Sequence, residues 1–303
     1  MSETTLNRTT TGLRASPQLV IGLGLIAIWW VIAWNDFGRI STFYFFPLWL
    51  GYILTVDGLV LARTGTSPLV RAGWKYPVFF VMSAPFWWFF EGINHFLGNW
   101  IYLTPEGYGW FGRWVLGTLS FTTVIPAVLT TTELVSTIGK PRWRRWLVID
   151  PSRRGLVLIH LSGWVMLIAM LIWPDYLFPL CWISVFLILD PLARFAGRTT
   201  VSSFAARGDW RPIFNLGAGA LVCGWFWEMW NIRAMPKWIY DVPHVGFLKV
   251  WEMPILGYGG YIPFAFEIFA YYALVTAVLP WFAYSNARIA QPAQIDPGDD
   301  GYI

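Results

Sequence analysis

Eight stretches of the chain run apolar for about the 20 residues a membrane helix needs: 18–34, 42–62, 77–98, 111–133, 155–173, 176–195, 213–231 and 259–283. Pro191, directly after Asp190, leaves the end of the sixth the least sharply defined. The pattern predicts an all-α integral membrane protein, a polytopic bundle of eight transmembrane helices. The first stretch follows a short polar leader without a small-residue cleavage site, so it reads as a retained anchor. Lys and Arg orient the bundle. Arg8 and Arg14 precede the first stretch, and Arg63, Arg71 and Lys75 fill the second connection. Lys140, Arg142, Arg144, Arg145, Arg153 and Arg154 crowd the fourth, and Arg194, Arg198, Arg207 and Arg211 the sixth. The odd-numbered connections hold Arg39, Arg113, Arg233, Lys237 and Lys249. The positive-inside rule then places both termini in the cytoplasm, as an even span count requires.

Parts of this pattern occur twice. Trp88-Phe89-Phe90-Glu91-Gly92-Ile93-Asn94 is followed by Trp100-Ile101-Tyr102 and Pro105; Trp225-Phe226-Trp227-Glu228-Met229-Trp230-Asn231 is followed by Trp238-Ile239-Tyr240 and Pro243. Tyr44-Phe45-Phe46-Pro47-Leu48 corresponds to Tyr176-Leu177-Phe178-Pro179-Leu180, Asp57 to Asp190, and Ile125-Pro126 to Ile262-Pro263. Glu133 and Glu267 follow those two prolines, and Trp34 and Trp173 close the first and fifth stretches. The expected organisation is a parallel 4+4 internal repeat about an axis along the membrane normal. Residues 1–150 form the first repeat with its basic linker, 151–290 the second, and 291–303 a mobile acidic tail.

Composition agrees with the membrane setting. Of 303 residues 56% are hydrophobic, 19% aromatic and 13% charged, about half the charge of an average soluble domain. The basic residues lie in short runs instead of one face, which excludes a nucleic-acid footprint. Localisation in a bacterial inner (plasma) membrane is expected. Cys181 and Cys223 fall inside apolar stretches and read as small core residues. No Walker loop, HExxH, GxSxG or dinucleotide fingerprint is present, and no cofactor or metal is expected.

The chemistry rests on the acids. Glu91 and Glu228 stand in aromatic, apolar segments where a carboxyl group is costly. Asn94 and Asn231 lie three residues on, on the same helix face, and His95 adds to that face in the first half. Two readings stand side by side. In one, each glutamate is a buried clamp bonded to Asn or Trp N–H groups. In the other, Glu91, Glu228, Asn94 and Asn231 form a catalytic layer facing a cavity. Asp57 and Asp190 read as partners of nearby arginines. His160 reads as a satisfied core histidine, and the W-I-Y triplets as aromatic belts at the outer interface. The loop from Ile232 to Gly260, with Asp241, His244, Trp251 and Glu252, reads as an outer cap.

The segment Trp238-Ile239-Tyr240-Asp241-Val242-Pro243-His244-Val245-Gly246, with Trp251-Glu252-Met253-Pro254-Ile255, resembles the W-x-Y…G…P-I-E-E stretch of integral-membrane lycopene cyclases and related carotenoid hydratases. Leu256-Gly257 stand where that motif has its paired acids. The resemblance implies polyene chemistry begun by an acid. The expected function is an intramembrane enzyme using buried carboxylic acids on a polyisoprenoid or other lipid, with membrane lipid or a lipophilic small molecule as partner. The alternatives are a proton- or cation-coupled transporter and a non-catalytic subunit held by partners in a larger membrane complex.

Overall fold

The computed structural model describes residues 16–107, 109–138 and 146–280. The expected acidic tail at 291–303, the end of the eighth stretch, Arg8, Arg14, Lys140, Arg142, Arg144 and Arg145 lie outside the described residues. The element order is α1 (Pro17–Asn35), α2 (Phe45–Thr64), α3 (Pro68–Ala72), α4 (Pro77–Leu97), β1 (Trp100–Leu103), α5 (Trp110–Phe121) and α6 (Val124–Ser136). It continues with α7 (Arg153–Ile172), α8 (Pro174–Leu177), α9 (Cys181–Phe195), α10 (Val201–Ala206), α11 (Arg211–Asn231), β2 (Lys237–Tyr240), β3 (Lys249–Val250), β4 (Met253–Pro254) and α12 (Tyr261–Val278).

Among the described residues six helical stretches are long and apolar enough to cross a membrane: Pro17–Asn35, Phe45–Thr64, Trp110–Ser136, Arg153–Ile172, Pro174–Phe195 and Ile255–Val278. They mark an integral membrane protein. Helices α4 and α11 are also long, at 21 residues each, but fall outside that apolar set because Glu, Asn, Gly and Trp replace aliphatic residues in them. The chain is not purely helical. β1 pairs antiparallel with β2, and β3 with β4. A three-residue aromatic triplet between turn residues carries too little periodicity to announce a strand.

Helix packing follows small residues. α1 lies against α2, where a Cβ added at Gly22 would come within 2.5 Å of Thr55 N. α7 lies against α9 in the same way, a Cβ at Gly163 falling 2.8 Å from Ser184 O. Such contacts let backbones approach where solvent drives nothing. Only 11% of the apolar window of α1 and 22% of that of α7 is buried, so the opposite faces of these helices are the ones left for lipid. The core lies between α2, α4, α6, α9, α11 and α12. Pro126 interrupts the long stretch between α5 and α6. There the Ser83 hydroxyl donates to Phe121 O (2.5 Å) and accepts from Ile125 N (3.0 Å). A buried side chain thus bridges the broken ladder.

At the end of the bundle away from β1 and β2, the two aspartates have matching roles. Asp57 accepts from Ser67 Oγ (2.6 Å) and Leu69 N (2.9 Å), and Ser67 caps α3. Asp190 accepts from Ser202 N (3.3 Å), beside the Thr200 cap of α10. This corrects the expected pairing with arginine, because the free N–H groups of a helix N-terminus attract carboxylates too. Arg63 instead donates to Thr137 Oγ1 and O, and Arg194 pairs with Asp150 at 2.5 Å.

Candidate functional site

Each site is assembled by a helix end and the strand that follows it. Asn94, in the last turn of α4, donates through Nδ2 to Trp100 O (2.8 Å) and accepts from Trp100 N (3.2 Å). Asn231, ending α11, makes the same pair with Trp238 O (2.7 Å) and Trp238 N (2.9 Å). A side-chain amide has the donor and acceptor of a peptide group, so each Asn acts as one more strand residue. The asparagines therefore hold the strands, and no hydrogen bond joins either to its glutamate among the described residues.

The strands carry the ligands of the carboxyl groups. Glu91 Oε1 accepts from Tyr102 OH (2.6 Å), Trp87 Nε1 (2.8 Å) and Trp100 Nε1 (3.1 Å). Glu228 Oε1 accepts from Tyr240 OH (2.7 Å) and Tyr261 OH (2.9 Å), while Trp238 Nε1 donates to Tyr240 OH (2.9 Å). Gly224 stands four residues before Glu228, where Trp87 stands before Glu91. The Tyr261 ring fills the place of the missing side chain, and a Cβ on Gly224 would run into it. That phenol donates to Glu228 as the Trp87 indole donates to Glu91. Burial first, and then the charge of the adjacent glutamate, push the Tyr102 and Tyr240 phenols well above their ordinary value, so both stay donors. Tyr102 as a residue is 39% exposed, while its hydroxyl donates to Glu91.

The two carboxyl groups differ in access. Glu91 is half-buried and lines a cavity of about 1320 Å³ at the ribbon end of the bundle. Glu228 is fully enclosed and is not among the lining residues. Its Oε2 has no hydrogen-bond partner among the described residues. The cavity lies between elements of both halves: Trp87 and Trp88 of α4, Trp114 of α5, Trp182 of α9, Trp238 of β2 and Phe264 of α12. Its volume exceeds the usual few hundred to about 1,000 Å³ of a small-ligand site, and its walls are chiefly apolar and rich in aromatic rings.

The remaining candidates fall elsewhere. His160 accepts from Trp164 Nε1 (3.1 Å) and contacts Ile188 O through Nδ1 (2.9 Å), so both ring nitrogens of this half-buried histidine are satisfied. His95 is exposed beside Phe96. His244 stacks on Tyr176 (5.3 Å between centroids) and lines the cavity. Cys181 and Cys223 are buried, free thiols. No group of three or more His, Cys, Asp or Glu that could hold a metal occurs among the described residues. Sequence reasoning missed Tyr102, Tyr240 and Tyr261 as partners of the glutamates. The near-equal distance from each glutamate to its W-I-Y tyrosine, 11 residues in one copy and 12 in the other, is a usable signal for two of them.

Fold and site together define an integral membrane protein with an aromatic cavity at one end and a glutamate in its wall. Comparison with protein-family models, curated proteins and solved structures finds no match to this chain.

Proposed function

We propose that the chain is an intramembrane enzyme that protonates a polyisoprenoid or other unsaturated lipid, with Glu91 as general acid. One observation carries this: all three donors to Glu91 converge on Oε1, in the wall of a cavity large enough for a lipid chain. In the reaction, the proton on Oε2 passes to a carbon of the substrate's double bond, whose π electrons form the new C–H bond. The neighbouring carbon becomes a cation beside the faces of Trp87, Trp88 and Trp114. The charge left on Glu91 falls on Oε1, where fixed donors already wait. Loss of a proton or capture of water ends the step. Glu228, enclosed by Tyr240 and Tyr261, anchors β2, and Asn94 and Asn231 position the strands.

The proposal includes the two-repeat architecture of eight spans, at 1–150 and 151–290, with both termini cytoplasmic and the ribbon on the outer side. The matched Asn–Trp pairs, the matched aspartate caps and the ribbon joining the two W-I-Y triplets support it. A bacterial inner membrane is the setting proposed.

The test is turnover of a long-chain polyene by purified protein in nanodiscs prepared in D₂O. Deuterium should enter a C–H bond of the product, and Glu91→Gln should lower the rate at least a hundredfold, the usual minimum for a positioned acid. Glu228→Gln should stay active. Full activity of Glu91→Gln sinks the reading, and proton-coupled solute uptake without lipid turnover would replace it with transport.

A further inference from the structure

The cavity's lining has a direction. Trp110, Trp114, Gly117, Phe121 and Val124 all contribute to it from α5 and the start of α6. Their spacing of three or four residues puts them on one helix face. From Trp110 to Val124 that face runs about 21 Å at 1.5 Å per residue, more than the ~15 Å of one bilayer leaflet. Phe178, Cys181 and Trp182 also line it. The result is an apolar track running from the rim into the membrane-spanning region.

Charge at the rim is unequal. Four charged residues line the cavity, Glu91, Arg113, Asp175 and Lys237, along with His244. Lys237 is neutralised by Glu252 at 2.5 Å. Asp175, in the first turn of α8, makes no ion pair among the described residues. Arg113, one turn from the start of α5, is exposed and makes no ion pair or side-chain hydrogen bond among the described residues. Helix arithmetic puts Glu91 near the same level. Trp88 stacks on Trp114 and donates to Thr118 Oγ1, and Glu91 lies three residues, about 4.5 Å, further toward the rim.

We propose that the occupant is a single-chain amphiphile with a phosphate headgroup: Arg113 holds the phosphate, and the chain runs down the α5 face past Gly117 to Val124. This rests on the reading of the cavity as a lipid site and narrows its substrate. It also sets the position of the chemistry, because an acid level with the headgroup reaches the unit of the chain nearest the phosphate. A planar guanidinium suits a phosphate by bidentate hydrogen bonding.

The experiment measures quenching of tryptophan fluorescence in the detergent-solubilised full chain by three probes: farnesyl monophosphate, farnesol and inorganic phosphate. The phosphate lipid should bind at least tenfold more tightly than the alcohol, and inorganic phosphate should not compete at equal concentration. Arg113→Ala should erase the preference while leaving farnesol binding unchanged. Gly117→Leu should weaken both lipids. A Cβ at Gly117 meets only the Phe121 ring at 3.5 Å, so that variant should fold, and its melting temperature checks this. Equal binding of the two lipids, or an Arg113→Ala variant that keeps the preference, overturns the headgroup assignment. Unchanged binding in a folded Gly117→Leu overturns the chain track, and competition by inorganic phosphate shows an anion site without a lipid. Glu91→Gln separates this inference from the enzyme reading: binding kept without Glu91-dependent turnover defeats only the enzyme, and turnover of farnesol at the same rate as the phosphate defeats only the headgroup.

Discussion

Ile101 stands opposite Ile239 at the centre of the β1–β2 ribbon, so that Trp100 faces Tyr240 and Tyr102 faces Trp238. The two W-I-Y triplets thus meet about a local twofold axis through that isoleucine pair. A symmetric ribbon nevertheless covers two unlike acids, because Trp87 in one half is Gly224 in the other. The substitution closes the space over Glu228 with Tyr261 and leaves the space over Glu91 open. Two similar arrangements in this way supply one acid facing a cavity and one that is enclosed.

The asparagines should govern the ribbon. Asn94→Ala and Asn231→Ala each remove two hydrogen bonds to the strand backbone and strand a buried N–H and C=O, at about 2–4 kcal/mol each. Hydrogen exchange should rise at Trp100 or Trp238 and across the paired strand in both variants. An Asn→Asp replacement keeps only the acceptor, so it should recover part of the protection. Unchanged exchange in both alanine variants would mean that the strands hold themselves.

Two glycines of similar context should respond oppositely. Gly224→Ala drives a methyl group into the Tyr261 ring, so that its hydroxyl leaves Glu228, and overpacking of this kind costs about 1–3 kcal/mol. Gly92 has nothing within 4 Å of an added Cβ. Gly92→Ala should therefore be neutral or gain up to about 1 kcal/mol from helix propensity. Denaturation of the two variants in the same detergent gives the comparison.

The pH dependence of stability should carry a contribution from Asp209, which lies before α11 and outside the apolar stretches. Burial pushes its carboxyl up, but Arg211, through Nε at 2.8 Å and NH2 at 3.0 Å, more than offsets this and holds it below the usual range. A depressed folded value means that the unfolded chain takes up the proton first. The stabilisation is therefore present above the ordinary Asp value of about 3.9 and is lost as pH falls through the lower folded value. Arg211→Met should lower the melting temperature near pH 7 and flatten that acid limb, the two curves converging below the folded value.

The apolar runs were legible because a helix in lipid must be apolar for its whole length. The doubled W-F-x-E-x-x-N motif was legible because a carboxyl among tryptophans is costly. What the chain did not disclose were contacts between distant residues. Tyr261 reaches Glu228 only through the gap at Gly224, and nothing local to Ile262-Pro263 announces it. The W-I-Y triplets carry ring types that suit an interface belt equally well, and only the pairing of β1 with β2 separates the two uses. Asp57 and Asp190 looked like partners of Arg63 and Arg194 by nearness along the chain. Their actual partners lie ten to twelve residues on, at helix starts with too few residues to show a period.

The sharpest internal comparison lies at the opposite end of the bundle. Arg71 and Glu133 form a buried ion pair at 2.6 Å, with side chains 10% and 4% exposed. Arg71 stands four residues after the Ser67 cap of α3, and Phe204 stands four residues after the Thr200 cap of α10. Phe204 stacks on Phe269, and Glu267, the counterpart of Glu133, is buried without an ion pair among the described residues. An apolar side chain thus stands near Glu267 where Arg71 stands near Glu133. Arg71→Met should strand Glu133 and cost about 3–5 kcal/mol, whereas Arg71→Met with Glu133→Leu should recover most of it, because apolar replacements of whole buried pairs are often neutral. A double-mutant cycle by denaturant unfolding reads the coupling. Additive losses in the double variant would show that Arg71 acts through a contact other than Glu133.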